Sequence, residues 1–188
     1  MLYTMIGVFG FVCFLLFDLL SLRQHVLGKY VFLLLGIGLI GYASFHLIAF
    51  ETSFVIPYPI RMVSLILAVM FTLLLVFSVF IEVGLNTYEP QAKPHLVTSG
   101  TYGLVRHPGV IWLFLAYGFA ALFFSSWWLL ITAVVWTFVN TLYIVLQERL
   151  VLQKLFLEYD KYVSSTPMVI PTFASVRRFI GIQNWRRE

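Results

Sequence analysis

Charge is what this chain is short of. Asp, Glu, Lys and Arg make up 11% of its 188 residues, against about 25% in a soluble domain. That scarcity excludes an ordinary water-soluble globule. It also removes the broad basic surface that a nucleic-acid-binding protein needs. Cysteine is nearly missing: Cys13 stands alone in the first apolar run, so no intrachain disulfide can form. No set of His, Cys and carboxylates has the spacing of a metal site. The first segment lacks the basic start and small-residue cleavage site of a secretory signal, and reads as a retained helix.

Hydrophobic residues supply 61% of the chain, gathered into apolar stretches at 2–22, 30–50, 60–81 and 109–147. About twenty apolar residues cross a bilayer as a helix, so the expected class is an all-α integral membrane helical bundle. The last stretch is too long for one crossing. Ser125-Ser126 followed by Trp127-Trp128 lies inside it, and small polar residues beside interface-loving tryptophans suit a turn at a membrane surface. The stretch therefore reads as a hairpin, 108–124 and 127–148, for about five transmembrane helices. Its short first arm leaves a tilted or re-entrant path open. Residues 1–93 then hold three transmembrane helices, 94–171 a core built on the hairpin, and 172–188 a basic interfacial tail.

The few charges are unevenly spread. Arg23 and Lys29 lie after the first span, Lys93 and Arg106 after the third, and seven of the twelve basic residues from Arg149 onward. The loop after the second span has only Glu51 and Arg61, and the hairpin turn has no charge. With five spans the richly basic segments share one side. The positive-inside rule makes that side cytoplasmic and puts the N-terminus outside, in the cell's inner membrane or another cellular membrane. Phe179, Ile180, Ile182 and Trp185 mingle with Arg177, Arg178, Arg186 and Arg187, a mixture that suits anionic lipid. The expected partners are the lipid bilayer and an amphiphile dissolved in it, not nucleic acid.

A hairpin returns the chain to the face it left, so residues 94–110 and 147–171 should meet. The first piece brings His95, Thr98, Ser99, Tyr102, Arg106 and His107. The second brings Gln147, Glu148, Arg149, Glu158, Tyr159 and Tyr162. Gly100 and Gly103 allow a tight backbone or a close approach to a ligand, and Pro108 can open a helix as its first residue. Arg106 and His107 could be no more than a snorkelling basic anchor. Asp18 and Glu82, near the cytoplasmic ends of spans one and three, read first as interfacial charges, with a substrate role as the alternative.

These pieces carry a resemblance. The segment LVTSGTYGLVRHP, a hairpin, and then QERLVLQKLFLEYDKYVSSTPMVIP resemble the membrane methyltransferase family of isoprenylcysteine carboxyl methyltransferases and phospholipid N-methyltransferases. Its pattern is LVTSGxYxxxRHPxY, a hairpin, an acidic pair, FGxxYxxY and a closing PxxxP. The resemblance covers residues 94–171. It implies S-adenosyl-L-methionine as methyl donor, bound by His95, Leu96, Val97, Gly100, Tyr102, Arg106, His107, Pro108, Gln147 and Glu148, with His107 and Glu148 carrying the chemistry. The chain departs from the pattern at Val110, Trp112, Gln147 and Phe156. It also has no arginine or lysine from 138 to 146, where the carboxyl methyltransferases hold a substrate carboxylate.

Neutral Asn140 and Tyr143, sharing a helix face at i and i+3, are the expected substrate residues. Burying an unpaired carboxylate against them would be costly. The expected acceptor is therefore a nitrogen or sulfur nucleophile, or another uncharged group, in preference to a prenylcysteine carboxylate. Two alternatives stand beside methyl transfer: an NADPH-dependent membrane reductase of related architecture, and a non-catalytic membrane protein that retains the fold.

Overall fold

The computed structural model describes residues 1–49, 54–83 and 96–185. The described residues are helical, with no strand: α1 Leu2–Leu22, α2 Val26–Ile48, α3 Tyr58–Val76, α4 Thr101–Leu104, α5 Pro108–Phe124, α6 Trp127–Gln147, α7 Tyr159–Ser165 and α8 Phe173–Trp185. Two of them run on past their regular ends. α3 continues as a π-helical segment, Phe77–Glu82, and α6 as another, Glu148–Leu152, with a last α turn at Gln153–Leu155.

Leu2–Leu22, Leu27–Ile48, Tyr58–Glu82 and Trp127–Leu155 are long and apolar enough to cross a membrane. This is an integral membrane protein built as a helical bundle. The fifth apolar helix, α5, has 17 residues. At about 1.5 Å per residue it reaches roughly 25 Å, a little less than the ~30 Å hydrocarbon core. α2 starts at Val26, earlier than its apolar run, because the first loop is only Arg23 to His25 and turns at Gln24 with φ of 56°.

The hairpin is closed by its serines. Ser125 takes a left-handed conformation, φ 55°. Its N–H donates to the Leu122 carbonyl at 3.2 Å, and that of Ser126 to Ala121 at 2.9 Å. This pair of bonds satisfies the carbonyls that a helix end leaves open. The Ser126 hydroxyl then accepts from the Leu129 N–H at 3.4 Å to start α6, as an N-cap serine does.

Helices pack in the spatial order α2, α1, α6, α5, α3, so the hairpin forms the middle of the bundle. Trp136, fully buried on α6, is the centre of the core, with Phe11, Leu113, Ala121 and Leu129 around it. Its indole N–H donates to the Thr4 carbonyl at 2.8 Å. Gly7 lets that ring lie directly on α1, since a Cβ there would overlap the indole. Thr4 and Thr132 share a hydroxyl hydrogen bond of 2.8 Å across the same seam. Lipid tails give helices no apolar reason to associate, so close backbone approach and interhelical hydrogen bonds carry the contact. Bulky residues of α2 and α3 such as Leu34, Phe45, Ile66 and Leu73 point outward, as lipid-facing side chains do.

Candidate active site

The polar residues gather at one end of the bundle, where α1, α3 and α6 finish and α5 begins. Glu82 anchors the loop that leads into α5. One of its carboxylate oxygens accepts from the Thr101 N–H at 2.7 Å, and the other from the Thr101 hydroxyl. Gly100 makes this contact available. It has φ 61° and ψ −136°, a region open to glycine, and a Cβ there would collide with the Glu82 carboxylate. Gly100→Ala is expected to cost about 1–3 kcal/mol of stability from backbone strain, with Glu82 displaced besides. Thermal unfolding in detergent checks this against Gly118→Ala, where the added methyl meets open space and stability should hold or rise.

From α4 the chain turns into Arg106-His107-Pro108. Pro108 occupies the first turn of α5, where its missing N–H costs nothing. The two N–H groups before it are taken by the segment after α7: Arg106 donates to the Pro167 carbonyl at 2.9 Å and His107 to that of Met168 at 3.0 Å. The closing proline segment therefore straps the RHP stretch from outside.

Glu148 is the hub. It lies in the π segment that extends α6, a local widening that recurs at functional sites. Its Oε1 meets His107 Nε2 at 2.8 Å, accepts from the Tyr159 hydroxyl at 2.8 Å, and lies 3.5 Å from Arg106 Nε. Tyr162, one turn after Tyr159 on α7, donates to the Tyr102 carbonyl at 2.6 Å. The Tyr102 hydroxyl reaches the Ser78 carbonyl at 3.3 Å. Burial raises the Tyr159 hydroxyl far above the ordinary phenol range, and its bond to the Glu148 carboxylate raises it further. Burial likewise pushes Tyr102 and Tyr162 well up. All three stay protonated and act as fixed donors.

Arg106 is buried but not satisfied. Its Nε and Nη1 have no hydrogen-bond partner although both atoms are sealed from solvent. Buried donors in this state are rare and costly, most of all on a guanidinium whose five N–H groups match a carboxylate or phosphate.

A profile of the phospholipid methyltransferase family matches residues 60–158, more than half of the chain. The chain belongs to that family. No characterised protein and no solved structure matches it. The matched stretch runs from α3 to the start of α7, so it contains the whole hairpin, the RHP segment and Glu148. It makes the protein a membrane methyltransferase, in agreement with the resemblance drawn from the motifs.

The site residues expected from the sequence fall into groups. Arg106, His107, Pro108 and Glu148 come together. Tyr102 joins them through Tyr162, and Gly100 shapes the loop beneath. Val97 is buried and Leu96 half-buried beside that loop. His95 lies outside the described residues. Gln147 turns away from Glu148: its amide donates to Asp18 Oδ2 at 2.9 Å and lies 3.0 Å from the Tyr143 hydroxyl. Tyr143 donates to the same Asp18 oxygen at 2.6 Å. Asn140 is half-buried nearby on α6. Sequence reading took Asp18 first as an interfacial charge and did not pair it with this face, and it missed Ser78 and Met168, which act through backbone carbonyls. Any residue type offers a carbonyl, so those two had no signal to find, whereas Pro167 was marked by the closing PxxxP. Asp18 had one, a carboxylate inside an apolar run.

Among the described residues no cluster of His, Cys and carboxylates could hold a metal ion.

Proposed function

We propose that the protein transfers a methyl group from S-adenosyl-L-methionine to a lipophilic or small amphiphilic acceptor that enters from the bilayer at the cytoplasmic face. The observation that carries this reading is the unsatisfied Arg106 beside Glu148. The donor molecule has a carboxylate, an ammonium and a ribose, and these residues fit it. Arg106 has buried N–H groups free for the carboxylate, by charge-assisted hydrogen bonds. Glu148 has a second oxygen for the ammonium or ribose hydroxyls, and its first is already held by His107 and Tyr159. The donor, when bound, supplies an electrophilic methyl on a sulfonium. The protein's part is alignment: His107 and Tyr159 fix the Glu148 carboxylate, the Pro167–Met168 strap fixes the RHP backbone, and the apolar helices exclude water. Alignment of two reactants in this way removes much of the entropic barrier.

Purified protein is expected to bind S-adenosylhomocysteine in preference to NADPH by ligand-induced thermal shift. His107→Ala should weaken that binding about tenfold or more, since a charged hydrogen bond is worth roughly 1.5–3 kcal/mol. A variant that folds and binds as wild type would put the donor elsewhere. A wild-type preference for NADPH would favour a reductase.

The acceptor in this reading is a nitrogen or sulfur nucleophile. Asn140, Tyr143 and Gln147 offer it a polar face on α6, with the Asp18 carboxylate held by Tyr143 and Gln147. The orientation follows from where charge collects. Arg23, Lys29, Arg106, Arg149, Lys154, Lys161, Arg177 and Arg178 belong to the end that holds Glu148, and Arg61 to the other. The basic end faces the cytoplasm, with α8 lying on anionic lipid. A reporter fused after Glu188 should read as cytoplasmic and one inserted between α2 and α3, within 50–59, as external. A cytoplasmic reading for that insertion would overturn the orientation.

A further inference from the structure

The end of the bundle away from Glu148 holds a cation that methyl transfer does not use. Arg61 closes the first turn of α3, three residues after exposed Tyr58 and at the end where exposed Trp127 and Trp128 begin α6. Such aromatic side chains settle at the headgroup region of a bilayer. The Arg61 Nε donates to the Phe123 carbonyl at 2.7 Å, and the guanidinium lies 5.4 Å over the Phe123 ring. That carbonyl is one of those a helix end leaves open; Ala121 and Leu122 before it are taken by the serines of the turn. The two Nη groups of Arg61 have no described hydrogen bond. The ion pairs found among the described residues all belong to Glu148. The described carboxylates, Asp18, Glu82, Glu148, Glu158 and Asp160, all belong to the Glu148 end.

Toward the membrane interior from Arg61, an apolar groove of about 230 Å³ runs between α3 and α5. Leu65, Ala68, Val69 and Leu73 form one wall, Ala120 and Phe123 the other. Phe123 therefore both carries the guanidinium and lines the groove. The Thr72 hydroxyl in the α3 wall already donates to the Ala68 carbonyl at 2.8 Å, so it makes no polar demand on an occupant. From Leu65 to Leu73 the groove is about 12 Å long at ~1.5 Å per residue. One leaflet contributes roughly 15 Å to a ~30 Å hydrocarbon core, so the groove spans most of a leaflet's depth. Its volume spread over that length is a cross-section of roughly 20 Å², against roughly 80 Å² for a helix about 10 Å wide. A single alkyl chain fits that space, and a helix of a second copy does not.

We propose that Arg61 and this groove bind one anionic phospholipid of the leaflet opposite the active site, its phosphate on the guanidinium and one acyl chain between α3 and α5. A guanidinium presents paired N–H groups that match a phosphate, and charge-assisted bonds of this kind are the strong ones. An arginine that merely snorkelled would extend its head into water. This one is held against α5, beside the groove. A zwitterionic lipid brings its own ammonium, which competes for the phosphate, so the site favours net negative charge. The bound lipid joins α3 to α5, the 17-residue arm of the hairpin. The site is independent of the methyl-transfer reading, since it shares no residue with the contacts around Glu148.

The test uses full-length protein in a neutral detergent. Phosphatidylglycerol and phosphatidylcholine with the same acyl chains are added, the lipid retained per chain is counted by native mass spectrometry, and thermal unfolding is followed in parallel. Basic residues at the Glu148 end also attract anionic lipid, so the reading is the difference between proteins. Wild type is expected to retain one more phosphatidylglycerol than Arg61→Gln and to bind it about tenfold more tightly. Ala120→Leu, which fills the groove and leaves Arg61 in place, should lose the same lipid, whereas Arg177→Gln should keep it. Glycerol phosphate, a headgroup without tails, should leave the unfolding temperature unchanged. Wild type that retains phosphatidylglycerol no better than phosphatidylcholine overturns the site whether or not the variants fold. So does a folded Ala120→Leu with the wild-type lipid count, or glycerol phosphate that stabilises wild type as much as the whole lipid. Arg61→Gln and Ala120→Leu should respond to S-adenosylhomocysteine as wild type does. A wild type that ignores S-adenosylhomocysteine yet keeps the Arg61-dependent lipid would support the site and overturn the methyl-transfer reading.

Discussion

Glu148→Ala is expected to weaken S-adenosylhomocysteine binding at least a hundredfold and to abolish methyl transfer. Oε1 of Glu148 is the shared contact of His107, Tyr159 and Arg106. Truncation strands the Arg106 guanidinium, already short of partners, in a buried place with no counter-charge. Removing one partner of a buried pair costs about 3–5 kcal/mol, and each ~1.4 kcal/mol is a factor of ten. Some of that loss will appear as reduced stability, so unfolding and ligand binding are measured on the same sample. Glu148→Gln separates charge from shape. It keeps an acceptor for Tyr159 but not the negative charge, and should fall between alanine and wild type. Alanine binding at wild-type affinity would sink the site.

Trp136→Ala should be the most damaging substitution for the fold itself. The side chain is fully buried, packs edge-on against Phe11 and Tyr117, and reaches across to the Thr4 carbonyl. Loss of a buried large aromatic typically costs about 3–5 kcal/mol, because the cavity closes only in part. The Gly7 face of α1 would then have nothing to pack on, and the α1–α6 seam would loosen. Phe138→Ala, two residues along the same helix but pointing outward, should change thermal stability little. Equal losses for the two would mean that the bundle is not centred on Trp136.

Much of this protein was legible from its order of residues. Apolar runs of sufficient length must be helices in a bilayer, since each helix satisfies its own backbone and no water is there to do so. Ser125-Ser126 announced the hairpin because small polar residues tolerate the turn and cap the helix that follows. The RHP segment and Glu148 announced a common site because a hairpin returns the chain to one face, and they do meet.

What the tertiary structure decided is direction. Gln147 and Glu148 look like one polar pair in the sequence, yet they face different partners, because consecutive helical residues diverge by about 100°. Periodicity gave no warning that α3 and α6 end in π segments, which aim Glu82 and Glu148. Asp18 read as an interfacial charge because nothing local links it to residues 143 and 147. Only the packing of α1 against α6 brings them together. Sequence determines which groups are present and which segments must lie in lipid, through solvation. Which buried group finds a partner, and which is left wanting one, is settled by helix packing, through distances that local sequence does not encode.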